Sequence, residues 1–83
     1  PLAVAVHAVR LAPDVERSTC AVLGLGTIGQ EVVQVLRARG ARRVIGLDVS
    51  PLRIDAARRL GADALDGSAG VLETLTGALE AGE

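Results

Sequence analysis

The chain has 83 residues, near the lower size at which one hydrophobic core sustains itself, so a single small domain is expected. It is 49% hydrophobic but has no aromatic residue and no Met, so the core must be built from Leu, Val, Ile and Ala, with no ring on which a base could stack. Net charge is −1 and all nine basic residues are Arg, interspersed with acids except at Arg37, Arg39, Arg42 and Arg43, so a basic nucleic-acid footprint is absent.

Residues 2–12, "LAVAVHAVRLA", carry two periods at once. Leu2, Val4 and Val6 alternate as in a strand; Leu2, Val6 and Val9 follow a helical stripe. The alanines favour a leading helix over 1–12, broken by Pro13 and Asp14. His7, alone among Val and Ala, reads as a structural histidine rather than a ligand or base. Thr19–Leu25, "TCAVLGL", is a continuous apolar run bounded by turn residues, the pattern of a buried strand. Cys20 inside it is the lone cysteine, so no disulfide framework exists, and a buried inert thiol is expected.

Thr27–Arg39 reads as an amphipathic helix with Ile28, Val32, Val35, Leu36 and Arg39 on one stripe. Glu31 is expected in its first turn, arginines in its last, and Gly40 as its stop. Arg37, Arg39, Arg42 and Arg43 then compensate the helix dipole. Arg43–Asp48, "RVIGLD", is a second buried strand. Ser50 is a candidate N-cap with Pro51 in the first helical position, opening a helix over Pro51–Leu60 that Gly61 closes. Residues 62–66, "ADALD", form a weak third strand, and Val71–Ala81 a last helix with Gly82 past its end. Asp55, Arg58 and Arg59 sit at salt-bridge spacing on a solvated face. Asp63 and Asp66 read as strand-end and capping residues. Strands alternating with helices predict an α/β fold with a three-stranded parallel sheet, order 3-2-1, and flanking helices: half of a doubly wound Rossmann fold. No stretch is long enough to span a membrane, no signal peptide is visible, and a reducing, cytoplasmic setting is expected.

The chemistry lies in "GLGTIG", residues 24–29. A lone G-x-G-x-x-G is weak, but this one follows a predicted strand and opens a predicted helix. Gly24 permits the tight turn, Gly26 lets a pyrophosphate approach the backbone, and Gly29 lets helix and strand pack closely. The helix start at Thr27 offers unpaired N–H groups and a positive dipole end. Asp48 lies 19 residues after Gly29, at the end of the second strand. By itself it is an ordinary turn aspartate. After this loop it reads as the acid that accepts hydrogen bonds from an adenosine ribose and repels a 2′-phosphate, which favours NAD over NADP. Gln30 and Glu31 stand where a Walker loop needs Lys and Ser or Thr, so a nucleoside-triphosphate loop is excluded. A kinase loop would need Val at Glu31 and a strand after it. The methyltransferase pattern usually sets its third glycine at the position of Ile28. No Ser–His–Asp or Cys–His arrangement is evident.

With these residues in view, the chain resembles the cofactor domain of the medium-chain, zinc-type alcohol and polyol dehydrogenases. The likeness runs through "PLAVAVHAVRLA", "STCAVLGLGTIGQ" and "ARRVIGLDVSPLRIDAARRLGAD", almost the whole chain. It implies that Gly24, Gly26 and Gly29 lie over the pyrophosphate, that Thr27 and Ile28 supply backbone N–H groups, and that Asp48 holds the ribose. It also implies that Arg53 lies beside the same ribose, although its spacing equally fits a surface helix residue. Arg17 stands where the family usually has a turn glycine; if that turn needs positive φ, Arg costs roughly 1 kcal/mol there. The resemblance implies NAD as cofactor, with zinc polarising an alcohol oxygen only in a full-length member, whose metal ligands and nicotinamide-flanking strands are not among these residues. The expectation is therefore the adenosine-binding part of a dehydrogenase, 1–83, inactive alone. In that fold Thr19–Leu25 would be left at a sheet edge, which predicts self-association through it or marginal stability. A second reading is a regulatory NAD-binding module, similar to the domains that gate potassium transport proteins, which also carry a GLG-x-I/V-G loop and a strand-ending acid. A third is a purely structural piece with an empty loop.

Overall fold

A computed structural model describes residues 2–6 and 15–81, with side chains for 15–81. The elements are β1 (Leu2–Val6), β2 (Thr19–Leu23), α1 (Thr27–Ala38), β3 (Arg43–Asp48), α2 (Pro51–Arg59), β4 (Asp63–Asp66) and α3 (Val71–Ala81). The strands form one parallel sheet in the order β1-β2-β3-β4. The three strands expected from the sequence are present in the expected order, flanked by helices, so the expectation of half of a doubly wound fold holds.

The leading segment differs. Residues 2–6 form a strand, not a helix, paired with β2 from Leu2↔Thr19 to Val6↔Leu23. Ladder pairing of five residues outweighs the modest helix preference of the alanines, which is worth only tenths of a kcal/mol per residue. The remainder of the expected helix, 7–12, lies outside the described residues, as do His7, Pro13, Asp14 and Gly82. This corrects a second expectation. β2 is paired on both sides and is not an edge, so the proposed self-association through Thr19–Leu25 loses its premise.

Alternation along the strands sets the core. Cys20 and Val22 of β2, Val44 of β3 and Ala64 of β4 point to one face, where Val32, Val33 and Leu36 of α1 and Ile54 and Ala57 of α2 cover them. Ala21, Ile45 and Leu47 lie on the opposite face and are buried as well, with α3 packed on β3. Cys20 is buried as expected, and burial pushes its thiol pKa up, away from reactivity.

The buried face of α1 is rotated from the expected stripe. Gly29, Val32, Val33 and Leu36 face inward, while Ile28 and Val35 are exposed. Gly29 sets that rotation, because only a residue without a side chain can meet the backbone of the loop beneath it. Glu31 falls just past the first turn, which holds no acid. The start of α2 is as expected. The Ser50 hydroxyl accepts from the Arg53 N–H at 3.4 Å and Pro51 occupies the first turn. Arg43 does more than compensate a dipole: it pairs with Asp63 at 2.6 Å and donates to the Ala78 carbonyl at 2.8 Å, tying α3 to the sheet. Asp66 caps a turn, accepting from the Ser68 N–H at 2.8 Å, rather than a helix. Asp55 and Arg58 form the expected surface pair at 3.8 Å, without Arg59.

Arg17 adopts φ = 63°, the left-handed conformation the sequence flagged, and its N–H donates to the Gly40 carbonyl at 2.9 Å. Relief of roughly 1–2 kcal/mol of strain, less the roughly 0.5–1 kcal/mol entropic cost of glycine, leaves a net gain for Arg17→Gly. A melting curve is expected to rise by a few degrees; an unchanged or lower midpoint would contradict the assignment of strain.

Candidate functional site

The loop between β2 and α1 folds back over the carboxyl ends of β2 and β3. Gly24 has φ = 93°, and its N–H donates to the Leu47 carbonyl at 2.8 Å, so the turn needs a residue free to adopt positive φ. Gly29, in the first turn of α1, sits directly on Gly24. A Cβ at Gly29 would collide with the Gly24 carbonyl oxygen and lie 2.9 Å from its carbon. Leu25, next in the loop, is fully buried and anchors the loop in the core. Its side chain occupies the space over Gly46 of β3, where a Cβ would come within 2.9 Å of it. The spacing rule for the glycine loop does not include this packing, and the glycine inside a buried strand was its only sequence signal.

Gly26 is the N-cap of α1 with extended backbone, and no side chain caps the helix. Among the described residues no side chain binds the first-turn N–H groups of Thr27 and Ile28, and the positive dipole end faces an open groove. The groove holds about 500 Å³ and is lined by Leu25, Gly26, Thr27, Gln30, Leu52 and Arg53 among others. The Arg53 guanidinium carbon lies 3.9 Å from the place a Gly26 Cβ would take.

Asp48 ends β3 beside this loop. Its Oδ2 accepts from the Leu25 N–H at 2.7 Å, and its Oδ1 accepts from the N–H groups of Val49 at 2.7 Å and Ser50 at 3.0 Å. Arg53 stands 3.8 Å from Oδ2. The Asp48 side chain is only 7% exposed. Burial by itself pushes the carboxyl pKa up, but the N–H groups of Leu25, Ser50 and Val49, aided by Arg53, outweigh it and hold the group below its usual value. A carboxylate oxygen has two lone-pair sites. Oδ1 uses both, whereas Oδ2 takes one N–H and a distant guanidinium, so Oδ2 retains acceptor capacity for a further donor.

A depressed folded pKa makes stability rise with pH. The contribution of Asp48 is present in full above about pH 5 and is lost as pH falls below the unfolded carboxylate value of about 3.9 toward the folded one. Asp66, lowered by its hydrogen bonds to Ser68, acts in the same direction. Urea midpoints measured from pH 6 to pH 3 are expected to fall, and Asp48→Asn should flatten that fall. An equally steep fall in the variant would contradict the link.

The sequence-predicted set Gly24, Gly26, Thr27, Ile28, Gly29, Asp48 and Arg53 thus converges on one end of the sheet. Gln30 was absent from that set, yet its side-chain amide donates to the carbonyls of Leu25 at 3.0 Å and Arg53 at 3.2 Å. Its partners lie on other elements, which no spacing rule reveals. A second groove, at the opposite end of the sheet, is bordered by Arg43, Arg58 and Asp63. These side chains are engaged in structural bonds: Arg43 with Asp63 and Ala78, and Arg58 with the Ala64 carbonyl at 3.1 Å. Among the described residues no three His, Cys, Asp or Glu side chains form a metal-binding group, and no helix is long and apolar enough to cross a membrane.

Comparison with known proteins agrees with this geometry. The TrkA-N domain model matches residues 20–79. Over 65 residues, 78% of the chain, it is 35% identical to the L-idonate 5-dehydrogenase (NAD(P)(+)) of Escherichia coli. Over 62 residues, 75% of the chain, it is 37% identical to the sorbitol dehydrogenase of Bacillus subtilis. Over 53 residues, 64% of the chain, it is 40% identical to the alcohol dehydrogenase 1 of Zea luxurians. These matches span only 18–19% of the relatives' own lengths. The strand–glycine loop–helix–strand–Asp unit and the matched family agree: the chain belongs to the TrkA-N domain family of Rossmann-type NAD-binding domains, with sequence relatives among the alcohol and polyol dehydrogenases.

Proposed function

We propose that this chain holds the ADP half of NAD and is the cofactor-binding portion of an oxidoreductase that moves hydride between an alcohol or polyol and NAD. The observation that carries the reading is the 2.7 Å bond from the Leu25 N–H to Asp48 Oδ2, which holds the strand-ending acid against the glycine loop. The pyrophosphate would lie over Gly26, against the N–H groups of Thr27 and Ile28, with Gly24 and Gly29 shaping the turn beneath it. Asp48 Oδ2 would accept a ribose hydroxyl, and Arg53 would swing from its 3.8 Å contact to make room. NAD supplies the hydride acceptor; these residues bind and orient its adenosine end and exclude a 2′-phosphate by charge. The buried Cys20 thiol suits a reducing, cytoplasmic setting. The dehydrogenase likeness supports an alcohol or polyol substrate, which other parts of such an enzyme would bind, together with its zinc.

A regulatory NAD-binding module, the second reading, is favoured by the TrkA-N match. Both readings require the same adenosine site. Calorimetric titration of the chain with NADH and NADPH tests it, with NADH expected to bind more tightly. Tighter binding of NADPH would overturn the assignment of Asp48.

A further inference from the structure

The loop is gripped from both sides of one residue. Asp48 Oδ2 holds the N–H of Leu25, and the Gln30 side chain holds its carbonyl. Both acceptors of Gln30 Nε2, the carbonyls of Leu25 and Arg53, are oxygens without a proton. The amide nitrogen must therefore face them, and the orientation of the side chain is fixed by chemistry. Arg53 closes the circuit through its guanidinium, 3.8 Å from Asp48. Leu25, Asp48, Arg53 and Gln30 thus form a ring of contacts that joins the glycine loop, the end of β3 and the first turn of α2.

The consequence follows from peptide geometry. The Leu25–Gly26 peptide is trans, like every peptide bond described, so the Leu25 C=O and the Gly26 N–H point in opposite directions. Holding the carbonyl fixes the direction of that N–H. It also keeps the negative end of the carbonyl dipole engaged, rather than free to turn toward an anion in the groove. We infer that Gln30 is a positioning residue for the pyrophosphate: it acts through Leu25 on the donors of the loop and need not touch the ligand. This inference rests on the proposed binding of the ADP half of NAD.

The test compares a ligand that has a pyrophosphate with one that does not. ADP-ribose and adenosine are titrated into the wild-type chain, Gln30→Met, which keeps length without a donor, and Gln30→Ala. Loss of two neutral hydrogen bonds is expected to weaken ADP-ribose roughly tenfold in both variants. Adenosine should change by less than about twofold, since Asp48 and Arg53 remain. The Gly26 amide resonance should move in the unliganded variants. ADP-ribose binding at wild-type affinity in Gln30→Met overturns the inference and leaves the NAD reading intact. Equal losses for both ligands also overturn it, since they would mean a general loosening of the groove. A wild-type chain that does not bind ADP-ribose overturns the NAD reading and the positioning role with it.

Discussion

Gly29→Ala is expected to lower the melting temperature by roughly 10–20 °C and to abolish measurable binding of ADP-ribose. A single methyl group causes this because its obstacle is backbone. The Gly24 carbonyl occupies the place the Cβ would take, and it cannot rotate away without turning the Leu25 N–H of the same peptide off Asp48 Oδ2. Overpacking against movable side chains typically costs about 1–3 kcal/mol, and an immovable neighbour puts the cost at the upper end. Relief would require α1 to lift from β2, uncovering Val22, Val33 and Leu36, all of them buried. Gly77→Ala is the matched control. Gly77 lies inside α3 with nothing within 4 Å of its would-be Cβ. Alanine there should raise stability by roughly 0.5–1 kcal/mol through helix propensity. Thermal unfolding of the two variants should therefore shift in opposite directions, and a Gly29→Ala chain as stable as wild type would refute the close packing of loop and helix.

Asp48→Ala is expected to weaken NADH and ADP-ribose alike, by roughly ten- to a hundredfold, the worth of a charge-assisted hydrogen bond of about 1.5–3 kcal/mol. NADPH should lose less, because the repulsion of its 2′-phosphate disappears with the carboxylate, so the preference for NADH narrows. The same substitution leaves the Leu25 N–H without its partner at a fully buried residue, which costs about 1–3 kcal/mol of stability. Binding and stability are separable here. Asp48→Asn keeps one acceptor oxygen, and so should recover part of the stability while losing the charge that discriminates between NADH and NADPH. Calorimetry on the three chains with both cofactors reads the first effect and urea unfolding the second. An Asp48→Ala chain that keeps wild-type affinity for ADP-ribose would remove Asp48 from the site.

What was legible in the sequence was local. The glycine spacing, the apolar run before it, the acid that ends "RVIGLD" and the Ser50–Pro51 helix start are each set by conformational rules acting over a few residues. The positive φ of Arg17 was anticipated only through the turn glycine usual at that position in the family it resembles. Features that depend on distant partners were not legible. "LAVAVHAVRLA" fits a strand and a helix equally by pattern, and pairing with β2 decides between them over 2–6. The inward face of α1 is dictated by the contact of Gly29 with Gly24, which displaced Ile28 and Val35 from the expected stripe. Gln30 excluded a Walker loop by its identity, but its two carbonyl partners lie 5 and 23 residues away, and only the folded chain brings them together.

The central claim is that the glycine loop and Asp48 form one site for the ADP half of NAD. Heteronuclear NMR of the wild-type chain titrated with ADP-ribose tests it most directly. The amide resonances of Gly26, Thr27, Ile28 and Val49 are predicted to move together along one saturating curve, while Arg43 and Ala78 at the opposite end of the sheet stay fixed. Saturable shifts confined to Arg43, Asp63 and Ala78, with the loop amides unmoved, would contradict the account.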